Sequence, residues 1–241
     1  MARFYCNQPL DTGMLITLPE QVAHHIQVLR LKEEEVITLF NGTGGEYSAS
    51  IARIEKKRVQ ALVKNFSARE AEPAHGLALA QALPEGSKMD WIIEKAVELG
   101  ATAVQPLISS RSVVRLSDDR AAKKMQHWQG IMASAAEQCG RNRLPQLAEP
   151  LPFPAWIAQQ DLHRRILLSP RGSQSLSSWA RHQPPQAITL IIGPEGGLAP
   201  AEEDSAIANG ALCLTLGERI LRTETAGLAA MAALQAVWGE L

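Results

Sequence analysis

Long apolar runs are missing from this chain of 241 residues: no stretch of eighteen or more residues is both apolar and uncharged, and the amino end carries no cleavage signal. No membrane partner is expected. Cysteine is scarce, since Cys6, Cys139 and Cys213 are odd in number, far apart, and without a C-x-x-C pair or a histidine at zinc spacing. That argues against disulfides and against a structural metal, and it fits a reducing cytoplasm. Charge of one sign is also lacking. A formal net charge of -1 gives no global attraction to nucleic acid, so such a partner needs a local basic surface. Finally, neither G-x-G-x-x-G nor a Walker A pattern occurs, which removes the usual dinucleotide and nucleoside triphosphate sites.

What is present is ordinary for a soluble globular protein: 46% hydrophobic and 20% charged residues, enough for one large domain or two modest ones. Residues 1–70 read as β-rich. Val36-Ile-Thr-Leu-Phe40 is a β-branched and aromatic run, Tyr47, Ala49 and Ile51 alternate with polar residues, and residues 59–63 pair with residues 51–54 in a small barrel or sheet. Val22, Ile26 and Leu29 at helical spacing predict one short helix over residues 19–29, with His24 and His25 meeting solvent at its centre. Residues 67–76 lack periodicity and contain Pro73 and Gly76, a natural linker.

Beyond it the pattern becomes α/β. An apolar strand (residues 77–83), a helix opened by a capping-box type Ser87 with Asp90 and closed by Gly100, and a strand (residues 102–108) form a βαβ unit, hence a parallel sheet. Ser117-Asp-Asp119 opens a long helix that Gly140 ends. From residue 111 to 143 seven basic residues, including Arg111, Arg115, Arg141 and Arg143, face three acids. This is either a solvated helix face or a phosphate-binding surface. A strand at 165–169 follows, and residues 162–194 contain no acid while holding Arg164, Arg165, Arg171 and Arg181, a second candidate basic surface.

Residues 188–226 carry the densest chemistry. Strand 188–192 runs into Gly193-Pro-Glu-Gly-Gly197, and strand 211–216 runs into Gly217-Glu-Arg-Ile-Leu-Arg-Thr-Glu-Thr225 before a nearly all-apolar helix over residues 226–238. Loops at the carboxyl ends of strands are where ligands sit in open α/β sheets. A helix apolar on every side must be buried on every side, in the core and against another subunit.

Four motifs now carry a resemblance: Lys88-Met-Asp-Trp-Ile-Ile-Glu-Lys-Ala-Val-Glu-Leu-Gly100, Ala136-Glu-Gln-Cys-Gly-Arg141 with Pro145, Ile192-Gly-Pro-Glu-Gly-Gly197, and Leu216-Gly-Glu-Arg-Ile-Leu-Arg-Thr-Glu-Thr-Ala226. With His25, Val28-Leu-Arg30 and Phe40-Asn-Gly42 they resemble the RsmE family, the 16S rRNA (uracil-N3)-methyltransferases of the SPOUT superfamily. Lys32-Glu-Glu-Glu35 replaces a more usual glycine-acid turn.

The resemblance implies an α/β protein: a small PUA-like β-barrel that helps hold RNA (residues 1–71), then a SPOUT-type trefoil-knotted α/β domain with a mainly parallel sheet (residues 72–241). It implies a homodimer that methylates N3 of a uridine in 16S rRNA, in the assembled 30S subunit, with S-adenosyl-L-methionine as cofactor. The cofactor loops map to Leu168, Ser169 and Pro170, to Ile192, Gly193, Pro194, Gly196 and Gly197, and to Leu216, Gly217, Ile220, Leu221 and Thr223. Uridine N3 carries a proton that must leave. Glu195 and Glu224 are the candidate acceptors, each alternatively a helix cap, and Arg222 is the candidate stabiliser of charge on the uracil oxygens. Arg30, Arg111, Arg141 and Arg143 are the candidate RNA contacts. A SPOUT ribose 2′-O-methyltransferase and a non-enzymatic ribosome-assembly protein are the rival readings.

Overall fold

The computed structural model describes residues 1–56, 58–113 and 118–239. Arg115 and the Ser117 start expected for the long helix lie outside those residues. The chain forms two compact units, one of Met1–Glu72 with Ala133–Leu144 and one of Pro73–Met132 with Pro145–Leu241.

The first unit contains β1 (Arg3–Tyr5), β2 (Leu15–Thr17), α1 (Glu20–Val28), β3 (Val36–Phe40), β4 (Glu46–Ile54) and β5 (Val59–Ser67). Its sheet order is β1-β3-β4-β5-β2, with β1 parallel to β3 and the other pairs antiparallel. Alternation decides which face is inside: Ala49 and Ile51 of β4 and Val59, Ala61 and Val63 of β5 are fully buried, while Leu62 points out. Val22, Ala23 and Ile26 of α1 close this core, and His24 and His25 are exposed. The Lys32–Glu35 turn has a clear geometry: Glu34 takes φ 71°, the left-handed conformation that glycine favours.

The second unit contains β6 (Leu77–Ala82), α2 (Lys88–Glu98), β7 (Ala103–Ile108) and the start of α3 (Asp118–Cys139), whose last turns belong to the first unit. After it come β8 (Gln146–Leu147), β9 (Leu151–Pro152), α4 (Phe153–Ile157), β10 (Arg164–Leu168), α5 (Leu176–Ala180), β11 (Ile188–Ile192), α6 (Pro200–Ala208), β12 (Leu212–Leu214) and α7 (Thr223–Trp238). The strand order is β12-β10-β11-β6-β7-β8, with β9 also on β7, and every pair is parallel. Helices cover both faces, so the central strand β11 is buried at all five residues, which is why Ile-Thr-Leu-Ile-Ile shows no alternation. Leu79, Ile166 and Leu190 pack with Ile92, Met231 and Leu234 on one face; Ala80, Leu167 and Ile191 pack with Phe153 and Ala206 on the other.

Three expectations change here. Ser87 precedes α2 but its side chain makes no cap bond; the Asp90 carboxylate instead accepts from Trp128 Nε1 at 3.0 Å and faces His127 Nε2 at 2.9 Å. The second basic surface is neutralised at two of its four arginines, while Arg164 and Arg181 are exposed. Arg165 is buried, donates to the carbonyls of Ile157 and Gln159 and lies over the Trp156 ring, whereas Arg171 pairs with Glu203 and Asp204. The last helix is buried on one face only within this chain: Gly227, Ala230, Met231 and Leu234 face inward, while Ala229, Ala232 and Ala233 are half-exposed and Ala236 is exposed.

Candidate functional site

Three adjacent strands converge on one place. In β12-β10-β11 the register sets Leu168 beside Leu214 and Leu167 beside Ile191, so the loops after these strands leave the sheet side by side. Between the first and last of them opens a cleft of about 190 Å³, walled by Leu168, Ser169 and Pro170 and by residues 215–221 with Ala226. Leu216, Ile220 and Leu221 make it apolar, Ser169 and Thr215 add hydroxyls, and Ile220 stands 84% exposed. Gly217 takes φ 112° with open space where a side chain would stand. Such a cleft, apolar with a few polar groups at its edge, suits a flat heteroaromatic ligand. A larger cavity of about 930 Å³ lies at the opposite, amino ends of β10 and β11, lined by residues 158–165, away from these loops.

The glycine turn after β11 folds back on itself. A Cβ on Gly193 would come within 2.7 Å of the Leu198 nitrogen, so only glycine fits there, and the Gly197 N–H donates to the Pro194 carbonyl at 2.9 Å. Side chains pin the turn from two sides. Arg111 Nη1 donates to the carbonyls of Gly196 (2.7 Å) and Leu198 (3.3 Å). On the other side the Glu195 carboxylate accepts from the Lys88 ammonium and from the Glu85 N–H at 3.1 Å. Burial works to raise the Glu195 pKa, but the Lys88 hydrogen bond and nearby backbone donors outweigh it, and the net shift is downward. Lys88 is correspondingly raised by the same bond. The cap of α6 comes from Glu202 rather than Glu195: its carboxylate accepts from the N–H of Ala199 (2.9 Å) and from the N–H and hydroxyl of Ser110 (2.8 and 3.0 Å).

The third loop ends earlier than its composition suggests, because α7 begins at Thr223 with Arg222 as its N-cap residue. Glu224 therefore lies in the first helical turn, where a carboxylate is favoured by the helix dipole. Its Oε2 is buried with no hydrogen-bond partner among the described residues. Arg222 is exposed. The Thr223 hydroxyl donates to the Gly193 carbonyl at 2.6 Å and accepts from Gln81 Nε2 at 2.9 Å, tying α7 to the glycine turn.

Of the residues expected to hold a cofactor, Leu168, Ser169, Pro170, Leu216, Gly217, Ile220 and Leu221 line the cleft; Ile192, Gly193, Pro194, Gly196, Gly197 and Thr223 do not. Thr215, Glu218, Arg219 and Ala226 line it as well. Lys88, which opens the first family motif, and Gln81, the one polar residue in the strand run Leu-Ala-Leu-Ala-Gln-Ala, also take part in holding these loops.

The arginines divide. Arg30 and Arg143 of the first unit and Arg111 of the second are exposed. Arg141 is corrected from RNA contact to structural residue: it is 3% exposed, and its Nε and Nη2 donate to Glu72 Oε2 while Glu72 Oε1 accepts the N–H groups of Asn142 and Arg143.

Known proteins match the chain along both of its parts. A model of the RNA methyltransferase domain matches residues 71–235, and one of the RNA methyltransferase PUA domain matches residues 18–64. Ribosomal RNA small subunit methyltransferase E of Bacillus subtilis is 35% identical, covering 89% of this chain and 87% of the relative. The Buchnera aphidicola (Schizaphis graminum) protein of the same name is 30% identical over 99% and 97%. The same-named protein of Neisseria gonorrhoeae, solved bound to S-adenosyl methionine, superposes with a TM-score of 0.92 at 38% identity, covering 99% and 98%. A Legionella pneumophila structure with bound cofactor SAM gives 0.93 at 37% over 98% and 97%.

Proposed function

We propose, from the premise that the chain belongs to the RNA methyltransferase family that includes ribosomal RNA small subunit methyltransferase E, that it methylates N3 of a uridine in small-subunit ribosomal RNA with S-adenosylmethionine as methyl donor. The observation that carries this reading is the juxtaposition of the apolar cleft with the α7 start, where Glu224 keeps a sheltered carboxylate oxygen with no hydrogen-bond partner among the described residues.

The cleft residues fit the cofactor. Leu168, Leu216, Ile220 and Leu221 would hold its ring, and Ser169 and Thr215 its polar edge. When bound, S-adenosylmethionine supplies an electrophilic methyl carbon on a sulfonium. The glycine turn's close packing and its pinning by Arg111 and Lys88 preset the backbone around the site, which lowers the cost of orienting the reactants. With the cofactor bound, the methyl–sulfur bond would break as the methyl–N3 bond forms, the sulfur leaving as a neutral thioether, and the N3 proton would pass to a carboxylate. Glu224 suits that task better than Glu195, whose carboxylate is held ionised by Lys88 with its pKa pushed down and is thus a weaker base. Arg222, exposed at the N-cap, stabilises charge on the uracil oxygens.

Several finer parts belong to the same reading. N3 lies on the Watson–Crick edge, so the target uridine is unpaired, in the assembled subunit, and recognised by shape and phosphates. Arg30, Arg111 and Arg143 contact RNA, and residues 1–71 hold it. The small outer residues of α7 support a homodimer. The trefoil path is supported by strand order: β12 lies beyond β10 on the sheet edge, yet α7 returns to pack on α2, α5, β6 and β11. Among the described residues no disulfide joins Cys6, Cys139 or Cys213, and no helix is long and apolar enough to cross a membrane; a ribosomal RNA substrate places the reaction in the cytoplasm.

The test is methylation of small-subunit particles followed by nucleoside mass spectrometry. A 3-methyluridine product is expected, Glu224→Gln should lower kcat by roughly 100-fold or more, and Glu195→Gln by less than about tenfold. A ribose-methylated product, or equal losses in the two variants, would overturn the reading.

A further inference from the structure

Gln81 is an uncomfortable residue in an otherwise apolar strand. It stands at 0% exposure in β6, next to β11, and a primary amide there is costly unless its groups are paired. Its Nε2 donates to the Ala82 carbonyl and to Thr223 Oγ1, both at 2.9 Å, with the Gly193 carbonyl at 3.5 Å. These contacts fix which end of the amide points at Thr223. The opposite oxygen, Oε1, is buried with no partner among the described residues. A core residue kept only for stability would not carry an unmet acceptor. What the amide supplies is direction.

Thr223 is itself 6% exposed, and a hydroxyl has a single hydrogen to give. That hydrogen goes to the Gly193 carbonyl at 2.6 Å; accepting from Gln81 prevents the hydroxyl from turning elsewhere. The two neighbours of Thr223 in sequence are Arg222 and Glu224. One turn later Gly227 lies against Leu79 and Ile192, where a Cβ would come within 3.1 and 3.4 Å, so the helix has little freedom to shift along the strands.

We infer that Gln81 is a positioning residue for the methyl transfer: through the Thr223 hydroxyl it fixes the first turn of α7, and with it Arg222 and Glu224, against the glycine turn. The inference rests on the proposed roles of Arg222 and Glu224. It also assigns Thr223, expected to bind the cofactor, to the coupling of two loops.

Gln81→Met keeps the length of the side chain and removes the direction. The amides of Thr225 and Ala226 both donate to the Arg222 carbonyl at 2.9 Å and report on the first turn. In cofactor-free Gln81→Met they should exchange their hydrogens about tenfold faster than in the parent. At saturating cofactor and RNA, kcat should fall about tenfold, while the cofactor Kd measured by calorimetry stays within about threefold. Thr223→Val should reproduce both losses, Thr223→Ser, which keeps the hydroxyl, should lose less, and the Gln81→Met/Thr223→Val double variant should be no worse than either single one. Unchanged exchange with unchanged kcat, a loss confined to melting temperature, or a cofactor Kd raised tenfold would each overturn the inference. If the parent protein makes no 3-methyluridine, the proposed reaction fails separately, and the exchange measurement still decides whether Gln81 holds α7.

Discussion

Replacing Arg141 by alanine separates a structural arginine from an RNA-binding one. The guanidinium is 3% exposed and gives two hydrogen bonds to Glu72 Oε2, so truncation strips a buried carboxylate of its cation. Breaking a buried ion pair from one side costs about 3–5 kcal/mol. Glu72 would still accept the N–H groups of Asn142 and Arg143, and its side chain is 13% exposed, which places the loss at the lower end, about 3 kcal/mol. All these partners lie in the first unit. Two units need not unfold together, so the measurement is a urea melt read by amide exchange or proteolysis within residues 1–72, where the midpoint should drop by roughly 1–2 M. Glu72→Gln should cost a comparable amount because it leaves the guanidinium buried against a neutral group. A midpoint unmoved by Arg141→Ala, together with weakened binding of small-subunit RNA, would refute the reasoning and return Arg141 to the RNA surface.

Two further perturbations probe the first unit. Burial raises the Glu137 pKa above its ordinary 4.5, against the pull of the Tyr5 N–H, His25 and Arg3. A folded pKa above the unfolded one means that this stability is full below pH 4.5 and is lost as pH rises through the folded value. Glu137→Gln, which can still accept from the Tyr5 N–H, should therefore gain in relative stability from acid to neutral pH; equal urea midpoints for the two proteins at both ends of that range would contradict this. Glu34 at φ 71° donates its N–H to the Ile51 carbonyl at 2.8 Å, a bond that glycine would keep. Relief of left-handed strain, about 1–2 kcal/mol, exceeds the unfolded-state entropy that glycine adds, about 0.4–1 kcal/mol, so Glu34→Gly should stabilise by about 0.5 kcal/mol. A lowered melting temperature would show that the strain is absent.

Elements with a strong repeating pattern were legible from residues alone, and short ones were not. β11 reads as a buried parallel strand from five apolar or β-branched residues in a row, and β4 and β5 read from their alternation. β1, β2, β8 and β9 have two or three residues each, too few for any period, and α4 hides in a proline-rich passage because Pro154 is tolerated in its first turn. Charge was the least reliable guide. A run of basic residues shows where arginines are but not which acid meets them: the partner of Arg141 is 69 residues away in the chain, and the partners of Arg171, on α6, are 32 and 33 residues on. Of the two loops that wall the cleft, the one after β12 was legible from its crowd of glycine, charged and hydroxyl residues, whereas Leu168–Pro170 followed only from the family resemblance. Gln81 was legible as an odd residue but its role was not, since the hydroxyl it steers is 142 residues on.

The non-sequential place of β12 gives the site its form. Had β12 extended the sheet beside β11, the chain would have entered α7 next to the glycine turn and left the Leu168–Pro170 loop on the far side of both. Because β12 pairs with β10 instead, its loop forms a wall opposite Ser169 and Pro170, and the chain must then cross back to reach β6 and β11. The crossing ends at Thr223, where the hydroxyl meets Gly193, so one junction closes the cleft, starts the helix and sets Arg222 and Glu224 on either side. The same helix goes on to present its alanine-rich outer face beyond the core. A second copy bound there, as proposed, would bear on the element that carries the proposed proton acceptor.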